Sequence, residues 1–114
     1  MSLMIELILS VTLATFFKTE DFVVESCIDE EFSLIQSFTP KRPLHSERIK
    51  FEAFVDIKFD VNKYGDVGDI KVVNSFPARI FDRESARALK NWKFNTSTHP
   101  NRCFDVRFKF KPLD

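Results

Sequence analysis

Apolar and polar side chains alternate most regularly in two stretches of the chain. Ala53, Val55, Ile57, Phe59 and Val61 alternate with Phe54, Asp56, Lys58 and Asp60. Phe104, Val106, Phe108 and Phe110 alternate with Cys103, Asp105, Arg107, Lys109 and Lys111. A period of two puts each apolar set on one face, so both stretches predict half-buried strands. Between them, Asn62-Lys63-Tyr64-Gly65-Asp66 has turn chemistry, with Gly65 free to take a positive φ. Val67 to Asn74 then returns as a second strand, Ile70 and Val72 alternating with Asp69 and Lys71, and the two strands read as a β-hairpin. Pro77 closes it. Phe81, Ser85, Ala88, Leu89 and Trp92 follow at i, i+4, i+7, i+8 and i+11, the stripe of an amphipathic helix from about Phe81 or Asp82 to Trp92. Asp82 and Glu84 in its first turn, and Lys90 and Lys93 near its end, suit the helix dipole.

These elements predict an α+β fold: a three-stranded antiparallel sheet with one main amphipathic helix on its apolar face. The expected core contains Phe59, Val61, Leu89, Trp92, Phe104, Val106 and Phe108. If the last strand pairs antiparallel with the first, a right-handed crossover gives the strand order 2-1-3. The last strand is then an edge with unpaired N–H and C=O groups, which is either a liability or a docking site.

From Leu3 to Phe17 the chain is almost wholly apolar, interrupted by Glu6 and small hydroxyls. That run is shorter than the about 20 residues a membrane-spanning helix needs. Its length fits the apolar region of a signal peptide, but a positive n-region and a clean cleavage site are missing. Residues 1–17 are therefore expected to be a signal peptide, a membrane anchor or a structural element of the domain. Residues 18–37 contain Phe22, Val23, Val24, Ile28, Phe32, Leu34 and Ile35, too many apolar groups for a free linker. That extension is expected to pack on the domain proper, residues 38–114.

Composition narrows the function classes. A chain of 114 residues holds one domain, and 44% hydrophobic residues with 14 Phe can fill its core. Seventeen basic and seventeen acidic side chains cancel, so net charge gives no reason to expect nucleic acid as a partner. Cys27 and Cys103 lack metal-type spacing; they can pair in an oxidising compartment or remain free thiols in a reducing one. His45 and His99 stand apart from any carboxylate or thiol that would make a metal site or a base–nucleophile pair. Gly65 and Gly68 form only a turn, not a phosphate loop. No catalytic, metal or cofactor constellation emerges, and the chain is not expected to be an enzyme.

The order of elements and the residues within them resemble the TonB C-terminal domain family. The resemblance runs from Lys50 through Phe59-Asp60-Val61 and Gly65, on through Asn74-Ser75-Phe76-Pro77 and Phe81-Asp82-Arg83-Glu84, to Trp92-Lys93-Phe94. Pro43 with Ser46 to Arg48 is similar to the short helix that precedes the family's first strand. The resemblance implies a periplasmic module of a Gram-negative bacterium, secreted or anchored at the inner membrane, that grips an extended segment of an outer-membrane receptor by strand addition and acts in energy-coupled transport. Arg102, Asp105, Arg107 and Lys109 would border the added strand, unless they are an ordinary solvated sheet face. An oxidising periplasm would favour a Cys27–Cys103 disulfide, stapling the N-terminal segment across the sheet and covering the very edge used for binding. The alternative role is self-association, a homodimer built through edge strands or a swapped N-terminal segment.

Overall fold

The computed structural model describes residues 14–113. In chain order it contains β1 (Phe16–Lys18), β2 (Phe22–Ser26), β3 (Leu34–Gln36), a 3-10 turn (Ser46–Arg48), β4 (Ala53–Val61) and β5 (Val67–Phe76). Helix α1 (Asp82–Leu89), β6 (Lys93–Phe94) and β7 (Arg102–Phe110) follow. The main sheet is antiparallel with five strands in the order β1-β2-β7-β4-β5, and β3 pairs with β6 in a separate two-stranded sheet.

The mixed α+β class and the order second-first-third, here β5-β4-β7, are as the alternation predicts. A three-stranded sheet is not. The residues before the 3-10 turn supply two further strands, and the physical reason is apolar area. Phe22 and Val24 of β2 are 3% and 0% exposed, and they continue the core-facing rows of β7, with Phe22 opposite Phe108 and Val24 opposite Val106. Burying those two side chains stabilises the fold by about 1.5–3 kcal/mol each. Left open, the side of β7 facing them would also expose a row of main-chain donors and acceptors to water.

The apolar N-terminal run lies outside the described residues as far as residue 13; its end, Phe16 and Phe17, forms exposed β1. Among the described residues no helix is long and apolar enough to cross a membrane. Residues 16–36 share one core with residues 53–110, through β2 on β7 and β3 on β6.

Between sheet and helix the core is largely aromatic. Phe59, Val61, Leu89, Trp92, Phe104, Val106 and Phe108 are all buried. At one end Phe94 packs on Phe104 with ring centroids 4.7 Å apart, and Phe32 meets Phe104 edge-on at 4.9 Å. At the other end Trp92 sits 4.7 Å from Phe22 and 5.5 Å from Phe108. Offset and edge-on contacts of this kind add about 0.5–1.5 kcal/mol per pair beyond their area. The Trp92 indole N–H donates to the Phe38 carbonyl at 2.9 Å, which pins the extended segment before the 3-10 turn.

Helix α1 ends at Leu89, earlier than its apolar stripe suggests. Trp92 N–H closes on the Leu89 carbonyl at 3.0 Å and Phe94 N–H reaches the Gly65 carbonyl at 2.9 Å. Both bonds turn the chain out of the helix so that β6 can run beside the hairpin. Gly65, with φ of 92°, leaves no room for a side chain, because a Cβ there would meet the Phe94 carbonyl. Gly65→Ala is therefore expected to destabilise the protein by about 2–4 kcal/mol, from left-handed strain together with that clash. Urea unfolding followed by Trp92 fluorescence measures the loss; a change within the noise would mean that the β4–β5 turn tolerates a Cβ.

Candidate functional site: the edge of the last strand

Strand β7 is paired on both sides. On one side β4 runs the length of it, from Ala53 opposite Phe110 to Val61 opposite Arg102. On the other side β2 pairs with it from Phe22 opposite Phe108 to Ser26 opposite Phe104. Cys27 N–H to the Cys103 carbonyl at 3.1 Å and Lys109 N–H to the Asp21 carbonyl at 2.9 Å extend the ladder at either end. The expectation that β7 is a free edge is thus corrected: residues 21–27 of the chain occupy it. Cys27 and Cys103 form a disulfide, Cα to Cα 5.3 Å, that closes a sequence separation of 76 residues.

The four side chains expected to border an added strand divide into two groups. Asp105, Arg107 and Lys109 lie on the outer face of the sheet, away from α1. Asp105 receives an ion pair from Lys58 Nζ at 3.0 Å. Arg107 grips Asp56 with both arms of its fork, Nε to Oδ1 at 2.7 Å and a terminal nitrogen to Oδ2 at 2.8 Å. Its guanidinium carbon also lies 4.1 Å from the Phe54 ring centroid. The hydrogen bond to Asp56 holds the Arg107 pKa above its ordinary value. Arg107 is therefore engaged within the sheet and not held out toward a partner, although it still flanks the position opposite Val23. Lys109 lies opposite Phe54 and is half-buried.

Arg102 belongs elsewhere and is a second correction. It shares the parity of Phe104 and turns inward, 1% exposed, where it cannot border a strand. One terminal nitrogen donates to the Asn62 carbonyl at 2.8 Å and to the Asn95 carbonyl at 2.7 Å, tying the hairpin turn to the loop before β7. Its remaining nitrogens have no protein partner. Burial pulls its pKa below the usual arginine value, and the negative charge of Glu30 partly offsets that. Its role here is a cross-brace between two loops.

Residues of β2 were missed as part of the site. Phe22, Val24 and Ser26 are buried while Glu25 is exposed, a period-two pattern only five residues long. The sequence signal was the Phe-x-Val-x-Ser parity, interrupted by acids at Glu20, Asp21 and Glu25. Among the described residues no group of three or more His, Cys, Asp or Glu could hold a metal ion. His99 makes one exposed contact, Nε2 to Glu30 at 3.5 Å. What this arrangement can do chemically is present or cover a row of main-chain hydrogen-bonding groups flanked by apolar sockets.

A helix laid across one face of an antiparallel sheet, with the last strand at the centre of that sheet, defines a small α+β domain. The sequence profile of the family described as "Gram-negative bacterial TonB protein C-terminal" matches residues 40–112, and the chain belongs to that family. The chain is 31% identical to Protein TonB of Salmonella typhimurium over 55 residues, 48% of this chain and 23% of that protein. It is 30% identical to Protein TonB of Pseudomonas aeruginosa over 66 residues, 58% of this chain and 19% of the relative. The chain thus spans about a fifth of the length of these curated relatives. The solution structure of the Pseudomonas aeruginosa TonB CTD superposes with a TM-score of 0.57 at 24% identity, over 80% of this chain and 94% of that one, a likeness of fold. The tonb2 protein of Vibrio anguillarum superposes with a TM-score of 0.56 at 28% identity, over 70% and 80% of the two chains.

The contrast between the two arginines is measurable. Arg102→Ala is expected to cost about 3 kcal/mol, since it empties a buried side-chain site and leaves two partly buried carbonyls without their charged donor. Arg107→Ala, exposed and screened, is expected to cost about 1 kcal/mol or less. Chemical denaturation of both variants checks the order; equal losses would remove the cross-brace role of Arg102.

Proposed function

We propose that the chain is a periplasmic, non-enzymatic protein-interaction module of a Gram-negative bacterium. It binds an extended segment of an outer-membrane receptor by strand addition, as part of energy-coupled transport across the envelope. The observation that carries this reading is the seat of β2. It lies outside the matched residues 40–112, yet it docks on the last strand of the matched core as an added antiparallel strand with its apolar side chains in sockets. An edge that accepts one such strand has the donors, acceptors and apolar sites to accept another of the same pattern. The disulfide supports an oxidising compartment. The apolar run from Leu3 fits delivery to that compartment or anchoring at the inner membrane.

A second reading, a homodimer through edge strands, is favoured by β5. This ten-residue strand has no partner on its outer side among the described residues and carries exposed Val73 and Phe76. In a two-fold antiparallel pairing centred on Ile70, Lys71 would lie opposite Asp69 of the second copy on both sides of the axis, a complementary register.

Amide chemical shifts on titration with short synthetic peptides from the N-terminal segments of outer-membrane receptors test the first reading, with perturbations expected along β7 and its neighbours. A titration that moves no edge-strand amide, with the disulfide either intact or reduced, would sink it. Molecular mass across a dilution series tests the second: a dimer that Lys71→Asp dissociates is the expected sign, and a monomer at every concentration would remove it.

A further inference from the structure

We propose that the Cys27–Cys103 disulfide is a thiol–disulfide exchange site that controls entry to the β7 edge. The segment admitted after exchange carries, in place of Phe22 to Ser26, an aromatic, any residue, a branched aliphatic, a base and a small residue. The proposal rests on the strand-addition reading above and names the regulation and partner chemistry of that same edge.

Three things hold β2 against β7: the main-chain ladder, the burial of Phe22 and Val24, and the disulfide. Only the third can be switched chemically. While it is closed, β2 is tethered beside β7 at its Cys27 end and no free peptide can compete with it on equal terms. Once it is open, the strand can fray from its Cys27 end, where Asp29 takes a positive φ and Glu30 and Glu31 follow.

The sulfurs are placed for exchange. Cys27 is exposed, and Cys103 lines an open hollow of about 310 Å³ together with Lys58 and Lys71. Lys58 Nζ lies 3.7 Å from Cys27 Sγ, while Asp105 Oδ2 lies 3.4 Å from the same sulfur. An attacking thiolate is attracted by the ammonium and repelled by the carboxylate. The reductant is a dithiol. Its thiolate attacks Cys27 Sγ, a mixed disulfide forms there, and Cys103 leaves as a thiolate. The second thiol of the reductant, after losing its proton to solvent, attacks its own partner sulfur and expels Cys27 as a thiolate. Two electrons pass from the dithiol, which ends as a disulfide, to the cystine.

The pattern of the incoming segment is read from what β2 does well and does badly. The Phe22 ring packs 4.7 Å from Trp92 and 6.2 Å from Phe108, Val24 is fully buried opposite Val106, and Ser26 is buried opposite Phe104. These demand an aromatic, a branched aliphatic and a small side chain at alternate positions. Glu25, however, lies directly opposite Asp105, a like-charge pair across the strands. A Lys or Arg at that position would replace the like-charge contact with an attractive one, sharing the Asp105 carboxylate with Lys58.

The test uses the full chain and a fluorescein-labelled peptide with the sequence of residues 19–26 carrying Lys in place of Glu25, read by anisotropy. The Cys27→Ser/Cys103→Ser variant is expected to bind at least about tenfold tighter than the oxidised chain. The same peptide with Glu retained is expected to bind the variant about threefold more weakly. Equal binding by the oxidised chain and the variant would overturn the gate and leave strand addition standing. If the variant does not bind but Val24→Asp, which expels β2 without exchange, does, the gate again falls alone. If neither binds, strand addition at this edge falls with it. Loss of the native Trp92 emission in the serine variant would reduce the disulfide to a structural staple and overturn the proposal. Independently of any peptide, Lys58→Ala should slow reduction by dithiothreitol and Asp105→Asn should hasten it, each about two- to threefold. Unchanged rates would overturn attack at Cys27.

Discussion

The pairing of β7 with strands on both of its sides is the constraint on which the rest of the molecule depends. The most C-terminal strand lies in the middle of the sheet, with β4 along one side and β2 along the other. Its inward row, Phe104, Val106, Phe108 and Phe110, is the floor on which the aromatic core is laid. Trp92 from the turn after α1, Phe22 from β2 and Phe32 from the loop after β2 all rest on that row. Its outward row carries the cystine, the ion pair with Lys58 and the fork of Arg107 on Asp56. One strand therefore sets core registry on one face and charge registry on the other.

Much of this was legible in the alternation of β4 and β7, because a nine-residue period of two leaves one way to bury a sheet face. The helix was legible for the same reason, though not its end. Trp92 continues the apolar stripe in sequence but reaches the core from a turn beyond the helix, drawn out by the Gly65–Phe94 bond. The N-terminal strands fell below what periodicity can resolve. β1, β3 and β6 are two or three residues long, and β2 shows only three inward positions among acids. The pairing of Arg102 with Asp105, Arg107 and Lys109 was an error that parity alone could have prevented, since even-numbered positions of β7 face inward.

The family core and its addition contribute different physics. Residues 40–112 supply the helix, the hairpin and the strand that carries the edge. Residues 14–36 supply an occupant for that edge, together with Phe32, which closes the aromatic cluster under β3. The occupant is well fitted on its inner side and poorly fitted at Glu25 on its outer side, so its hold is strong in area and weak in charge.

The nesting of β7 between strands from far earlier in the chain also bears on when the protein can fold. Neither of its ladders is local: β2 and β7 are joined over about 80 residues of chain, and β4 and β7 over about 40 to 60. Contacts of such sequence separation are slow to form and are made only once the loop they close is complete. A chain emerging from its N-terminus first would carry Phe22, Val24 and the β4–β5 hairpin without their central partner until β7 was made. The domain therefore commits to its fold only once β7 has been made, however early its hairpin forms.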